Sequence, residues 1–191
     1  LQIWLASTFL KLQPKRIEMA VGDTPANNDP KVEKLFRLIS AIRTGMLVTQ
    51  RSDGSLCSRP MATHTTDTDY HLWFLTDRDS VKVLEIAKNP NVNVSFADPD
   101  EQHYVSVSGK AAVVDDSAKL SELWNTFAKA WFTGGKDDSR LAMVRVEITD
   151  AEYWDAPSSA FVNLYRVSKA LLTGKRPEDY GENETVSVSS E

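Results

Sequence analysis

Apolar positions in the middle of the chain repeat first every three to four residues and then every two. After Asp29-Pro30, Val32, Leu35, Phe36, Leu38, Ile39 and Ile42 fall close to a 3.6-residue period, which predicts an amphipathic helix ended by Thr44 and Gly45. Met46 to Thr49 reads as a strand, and Ser52-Asp53-Gly54-Ser55 as a tight turn in which Asp-Gly favours the type I′ hairpin. The chain returns over Leu56 to Thr63, turns at Thr65 to Asp69, and runs a third, aromatic-rich strand from His71 to Thr76. From Asp79 to Asn89 the period changes. Val81, Leu84, Ile86 and Ala87 make a helical stripe, Asp79 or Ser80 can cap its start, and Asn89-Pro90 stops it.

Strict alternation resumes over Asn91 to Ala97, followed by a turn at Asp98-Pro99-Asp100. His103 to Val114 is a long fifth strand with Gly109 as its bulge or bend. Ser117 to Trp131 reads as a helix and Thr133-Gly134-Gly135 as a loop. Leu141 to Ile148 forms a sixth strand, Ala151 to Trp154 its extension, and residues 158–173 a final helix closed by Gly174. Six closely spaced strands with hairpin-scale connections exclude a doubly wound parallel sheet, which needs a helix after nearly every strand. Antiparallel order with one bent strand points to a small closed or split barrel whose helices are few and peripheral.

The ends differ from this middle. Residues 1–28 are expected to be an N-terminal extension and 29–177 the folded domain. The polar stretch 178–191, loose from Tyr180 on, forms a tail. The opening segment resembles a signal peptide only superficially, because Lys11, Lys15 and Arg16 follow the apolar residues instead of preceding them. Residues 1–18 read as an extension upstream of a native start at Met19, or else as a short amphipathic helix.

Composition narrows the function classes. With 27 acidic and 22 basic side chains among 191 residues, the net charge of −5 argues against a dedicated nucleic-acid binder. The single cysteine, Cys57, can form no intramolecular disulfide and no cysteine cluster for a metal. No apolar run reaches the roughly 20 residues that span a bilayer. A cytoplasmic protein without nucleic-acid or membrane partners is expected.

Three places could carry chemistry. Thr76-Asp77-Arg78-Asp79-Ser80-Val81-Lys82 passes from a strand end into a helix start and supplies two hydroxyls and two cations. Unpaired N–H groups and the helix dipole attract an anion there, and a first-turn lysine, normally unfavourable, becomes favourable if a phosphate sits between. The alternative is a plain capped helix with Arg78 and Lys82 in solvent. In Arg59-Pro60-Met61-Ala62 the proline removes a ladder donor, so the strand is an edge or is bent. Arg59 could then pair with a phosphate. The alternative is an aggregation-blocking edge with an exposed arginine. Among the aromatic residues, Trp73 reads as core and Trp131, before Gly134-Gly135, as a possible ring contact. His64, His71 and His103 lack metal-ligand spacing, and no Walker-type loop or Gly-x-Gly-x-x-Gly is present.

In order, the segments Gly-Met-Leu-Val-Thr, the Asp-Gly turn, Ser-Arg-Pro-Met-Ala-Thr, Leu-Trp-Phe-Leu-Thr-Asp-x-x-Ser-x-Lys, Asn-Pro-x-Val-x-Val-Ser-Phe and Tyr-Val-Ser-Val-Ser-Gly, with Ala-Glu-Tyr-Trp-Asp at 151–155 and Leu-Thr-Gly-Lys-Arg-Pro at 172–177, are collinear with a known pattern. Over roughly residues 30–177 the chain resembles the pyridoxamine 5′-phosphate oxidase-like superfamily of FMN-binding split barrels, and within it the bacterial general stress protein 26 group. The resemblance implies a mainly β (α+β) fold, a six-stranded antiparallel split β-barrel, and a homodimer with FMN at the subunit interface. It implies that Arg59, Pro60, Met61 and Ala62 line the flavin, and that Leu75 and Thr76 lie near the ribityl-phosphate. Ser80, Val81 and Lys82 match a phosphate-holding Ser-x-Lys. Trp131 would cover the ring from the partner chain, and Trp154 aligns with a tryptophan near the flavin. The Arg-x-His substrate motif of the vitamin B6 oxidases is absent, the corresponding stretch reading Phe161 to Arg166 as Phe-Val-Asn-Leu-Tyr-Arg. The implied function is therefore a flavin-dependent oxidoreductase on a different small molecule, linked to the stress response. The alternative is a non-catalytic flavin carrier or redox sensor. Catalytic residues are not identifiable from the sequence.

Overall fold

One strand organises the sheet. In the computed structural model, which describes residues 29–65, 71–155 and 182–187, β7 (Leu141–Asp155) pairs along one edge with β6 (His103–Val114). Its other edge is shared: β4 (His71–Asp77) pairs with its first half and β8 (Glu182–Ser187) with its second. Beyond β6 lie β5 (Asn91–Asp98), β1 (Thr44–Gln50) and β2 (Leu56–Ala62), and β3 (His64–Thr65) adds a short pairing outside β4. Every pairing is antiparallel. The path β2-β1-β5-β6-β7-β4-β3 does not close, and its two free ends face one another across a gap. This is a split barrel, and the six expected strands are β1, β2, β4, β5, β6 and β7.

Alternating apolar residues fill the interior. Leu47, Phe74, Val94, Phe96, Val107, Val144 and Tyr153 are fully buried, and α1 (Pro30–Ile42) covers them with Leu35 and Ile39. Asp29 caps α1 by accepting the Lys31 N–H at 2.8 Å. Trp73 is core, packed in a second cluster with Leu123 and Met143. The β6–β7 register shifts between Ser108 and Gly109, and a Cβ on Gly109 would stand 2.3 Å from the Glu147 carbonyl oxygen. The expected bulge is present, and it needs glycine because no side chain fits.

Three local expectations change. The Asp-Gly turn is not type I′, because Asp53 keeps a negative φ and only Gly54 is left-handed, at φ 84°. The Gly54 N–H donates to the Arg51 carbonyl and the Arg51 N–H to the Ser55 carbonyl, giving a three-residue loop closed by a glycine bulge. Asp53 holds it by accepting from the Ser55 N–H and hydroxyl. The helix expected over Ser117 to Trp131 is two, α3 (Ser117–Leu123) and α4 (Thr126–Trp131). Trp124 is extended, and Asn125 starts the second helix by accepting the Ala128 N–H at 2.9 Å. The tail expected to be loose contains β8, which buries Thr185 and Val186 against the end of β7. The final helix at 158–173, its Gly174 stop and the extension 1–28 lie outside the described residues. α2 (Val81–Lys88) completes the fold between β4 and β5.

Candidate functional site

The gap between the sheet's free ends is a cavity of about 430 Å³, within the roughly 300–1,000 Å³ typical of small-molecule sites. One wall is the end of β2, where Pro60, Met61 and Ala62 meet His64 of β3. Leu75, Thr76 and Asp77 of β4 form the opposite wall, with Lys82 at its end. Ala128, Trp131, Phe132 and Arg140 close the rim.

The polar corner is built by the turn from β4 into α2. Asp77 accepts the Asp79 N–H on its carboxylate at 2.9 Å and the Ser80 N–H on its carbonyl at 3.1 Å. Ser80 is the N-cap by backbone geometry, yet its hydroxyl makes no capping bond and is buried without a hydrogen-bond partner. The first turn of α2 holds no acidic residue. Burial pulls the Lys82 ammonium below its usual pKa, and the charge of Arg59 adds to this; Asp77 and Glu85 oppose it more weakly. An orphaned hydroxyl, free helix-start N–H groups and a lysine short of negative charge fit a phosphate monoester.

Pro60, Met61, Ala62, Leu75, Thr76, Lys82 and Trp131 therefore come together in one cavity. Ser80 and Val81 are not among the lining residues: Ser80 precedes Lys82 by two residues at the start of α2, and Val81 is 66% exposed and can offer only its backbone. Trp131 lies at the rim of its own chain's cavity, 68% exposed. Arg59 is turned away. It projects from the inner face of β2, donating through Nη1 to Thr49 Oγ1 at 2.6 Å and through Nη2 to Glu85 Oε2 at 2.9 Å. Trp154 does not reach the cavity. It pairs with Tyr104 and Asn183, eleven residues along β7 from the Met143 that faces Leu75, roughly 36 Å at about 3.3 Å per residue. Arg78 donates to Asp115 at 2.8 Å and to the Leu141 carbonyl.

Four further groups stand at or behind the cavity. His64 lines the cavity with its imidazole pKa lowered by burial. Phe132 and Arg140 complete the rim, Arg140 held bidentately by Asp138 at 2.8 and 3.1 Å. Glu85 is 6% exposed behind the cavity. Burial would raise its carboxyl pKa, but hydrogen bonds from Thr49 and Arg59 and the charges of Arg59 and Arg51 hold it below the ordinary value. Only Glu85 carried a signal: it follows Lys82 by three residues and so shares that helix face.

Comparison with known proteins agrees with this fold. Residues 30–178 match the family model described as pyridoxamine 5′-phosphate oxidase like. Protein bli-3 of Neurospora crassa is 29% identical over 163 residues, covering 80% of this chain and 78% of that protein. A candidate general stress protein 26 of Jannaschia sp. CCS1 superposes with a TM-score of 0.67 at 26% identity, over 82% of this chain and 98% of that one. The general stress FMN/FAD binding protein of Xanthomonas citri does so with a TM-score of 0.59 at 30% identity, over 66% and 89%.

Proposed function

The chain belongs to the pyridoxamine 5′-phosphate oxidase-like family, and from that premise we propose that it binds FMN and acts as a flavin-dependent oxidoreductase on a small molecule. One observation carries the reading: Lys82, short of negative charge, lines a cavity whose walls are otherwise largely apolar, and Ser80, two residues before it at the helix start, has a buried hydroxyl without a partner. A ligand with a terminal phosphate and a planar apolar body suits both halves. The FMN/FAD-binding name of the Xanthomonas citri relative supports a flavin.

In this reading Ser80, the Val81 and Lys82 backbone and the Lys82 ammonium bind the phosphate. Pro60 to Ala62 and Leu75 form the slot, and Trp131 and Phe132 shield its open side from water. His64, neutral at pH 7, can donate or accept one hydrogen bond at the end of the slot away from Lys82. The flavin, when bound, supplies the hydride and electron exchange. A second copy of the chain completes the interface, and the names of the relatives support a role in the stress response. No helix among the described residues is long and apolar enough to cross a membrane, and the cytoplasm is the proposed location.

The test begins with the absorption spectrum of purified protein. It should carry flavin bands, and a nicotinamide donor should bleach them anaerobically until an acceptor restores them. Yellow protein without donor-dependent turnover would favour the carrier or sensor reading. Colourless protein that stays colourless with added FMN would end the flavin assignment. Light scattering of the flavin-loaded protein should give twice the chain mass; a monomer would remove the shared interface.

A further inference from the structure

Two cations stand at the back of the phosphate corner, and a buried carboxylate is already with them. Glu85 is 6% exposed, follows Lys82 by one helical turn, and meets Arg59 Nη2 at 2.9 Å through Oε2. Thr49 completes the triangle, its hydroxyl accepting from Arg59 and donating to the same Glu85 oxygen, both at 2.6 Å. The other oxygen, Oε1, is buried without a hydrogen bond, with Arg51 Nε 3.9 Å away. A buried ion pair is a weak device for stability, because apolar residues of similar volume often serve as well. Residues three apart on a helix stand about 5–6 Å apart at Cβ. Glu85 is therefore within electrostatic reach of any anion held by Lys82.

We infer that Glu85 is an internal counter-anion that competes with a bound phosphate monoester for the positive charge of Arg59 and Lys82, and so sets how tightly the corner holds it. The inference rests on the reading of this cavity as a flavin phosphate site. Arg51, Arg59 and Lys82 against Glu85 and Asp77 leave one net positive charge. Neutralising Glu85 makes it two, and removing Arg59 alone leaves none. Glu85 acts through the two cations without touching the ligand, so it is a positioning residue and not a catalytic one. A merely structural strut would change stability; a counter-anion changes the part of the affinity that belongs to the phosphate.

The ratio of the riboflavin Kd to the FMN Kd isolates that part. It should be measured by fluorescence titration of full-length, flavin-stripped protein at low salt. Glu85→Gln should raise the ratio about tenfold and Arg59→Gln should lower it about tenfold. The double variant, with net charge restored, should fall within about threefold of wild type, and the Glu85→Gln gain should shrink at high salt. A ratio that falls in Glu85→Gln, or one that stays constant while the melting temperature drops, overturns the inference. If Glu85→Gln does not fold, the double variant decides: a ratio well below wild type means that the arginine charge matters and the balance does not. Wild type that binds neither flavin removes the flavin reading and this inference together. Wild type that binds both, with the series out of order, removes this inference alone.

Discussion

Two helical lysines sit at opposite ends of the sheet, and burial acts on both; their surroundings answer in opposite ways. Lys34 of α1 reaches the far end of β7, where its ammonium meets Asp155 at 2.7 Å, pairs with Glu182 of β8, and lies 5.3 Å over the Tyr153 ring. Burial pulls its pKa down, but the hydrogen bonds and charges of the two carboxylates outweigh that and raise it. Lys82 meets burial with another cation nearby, and its pKa falls. The first corner is complete within the chain. The second is short of negative charge, and a ligand is the simplest way to supply it.

The largest contrast comes from removing each lysine. Lys82→Ala is expected to weaken FMN by about 100-fold, the roughly 2–3 kcal/mol of a charge-assisted contact, with riboflavin unaffected. Melting temperature should hold or rise slightly, because the folded state disfavours the charge that is lost. Lys34→Ala should do the reverse. It costs about 1–2 kcal/mol of stability, since the side chain is only 16% exposed and pairs with two carboxylates, and it leaves FMN binding intact. Equal losses of affinity in both variants would erase the contrast.

An alkaline titration separates the corners without mutation. The Lys82 pKa is lowered in the free protein, so FMN affinity should begin to fall below the ordinary lysine value of 10.5, by at most about tenfold per pH unit. The Lys34 pKa is raised, so its contribution to stability is fully present below 10.5 and is lost only as pH climbs through its higher folded value. Flavin fluorescence should therefore appear before the far-ultraviolet circular dichroism changes. The opposite order would mean that unfolding releases the flavin and that Lys82 does not titrate first.

What the chain revealed in advance divides along similar lines. Periodicity located the six long strands, and glycine placement located the bulge at Gly109, because both are local signals. Pro60 to Ala62, Leu75, Thr76, Lys82 and Trp131 share a cavity because each sits at an element end that sequence punctuation marks. The pairing of Arg59 with Glu85 was not legible, because the carboxylate lies 26 residues downstream, on a helix whose inward face holds one acid among apolar residues. β8 was invisible for a related reason. Its outward glutamates are matched by Lys31 and Lys34, i and i+3 on a helix at the other end of the chain, so the strand needs only one large apolar residue. Trp154 was carried over by alignment alone, and within one chain the length of β7 separates it from the cavity.

The smallest expected effect tests the polar corner most narrowly. An ordinary capping serine replaced by alanine costs about 1 kcal/mol of stability, which for a chain of this size moves the melting temperature by about 2–4 °C. Ser80 accepts no N–H in a cap, and its buried hydroxyl has no partner. Ser80→Ala should therefore leave the flavin-free melting temperature within about 1 °C of wild type, since nothing is broken and one desolvated hydroxyl is removed. The loss should appear only with the ligand present, as FMN affinity lower by about tenfold, the low end for a hydrogen bond to a charged group, with riboflavin again unchanged. Differential scanning fluorimetry with and without each flavin reads both quantities from one sample. A flavin-free destabilisation of ordinary capping size would show that the hydroxyl serves α2 and not a ligand, and the two lysine corners would then differ in charge without differing in purpose.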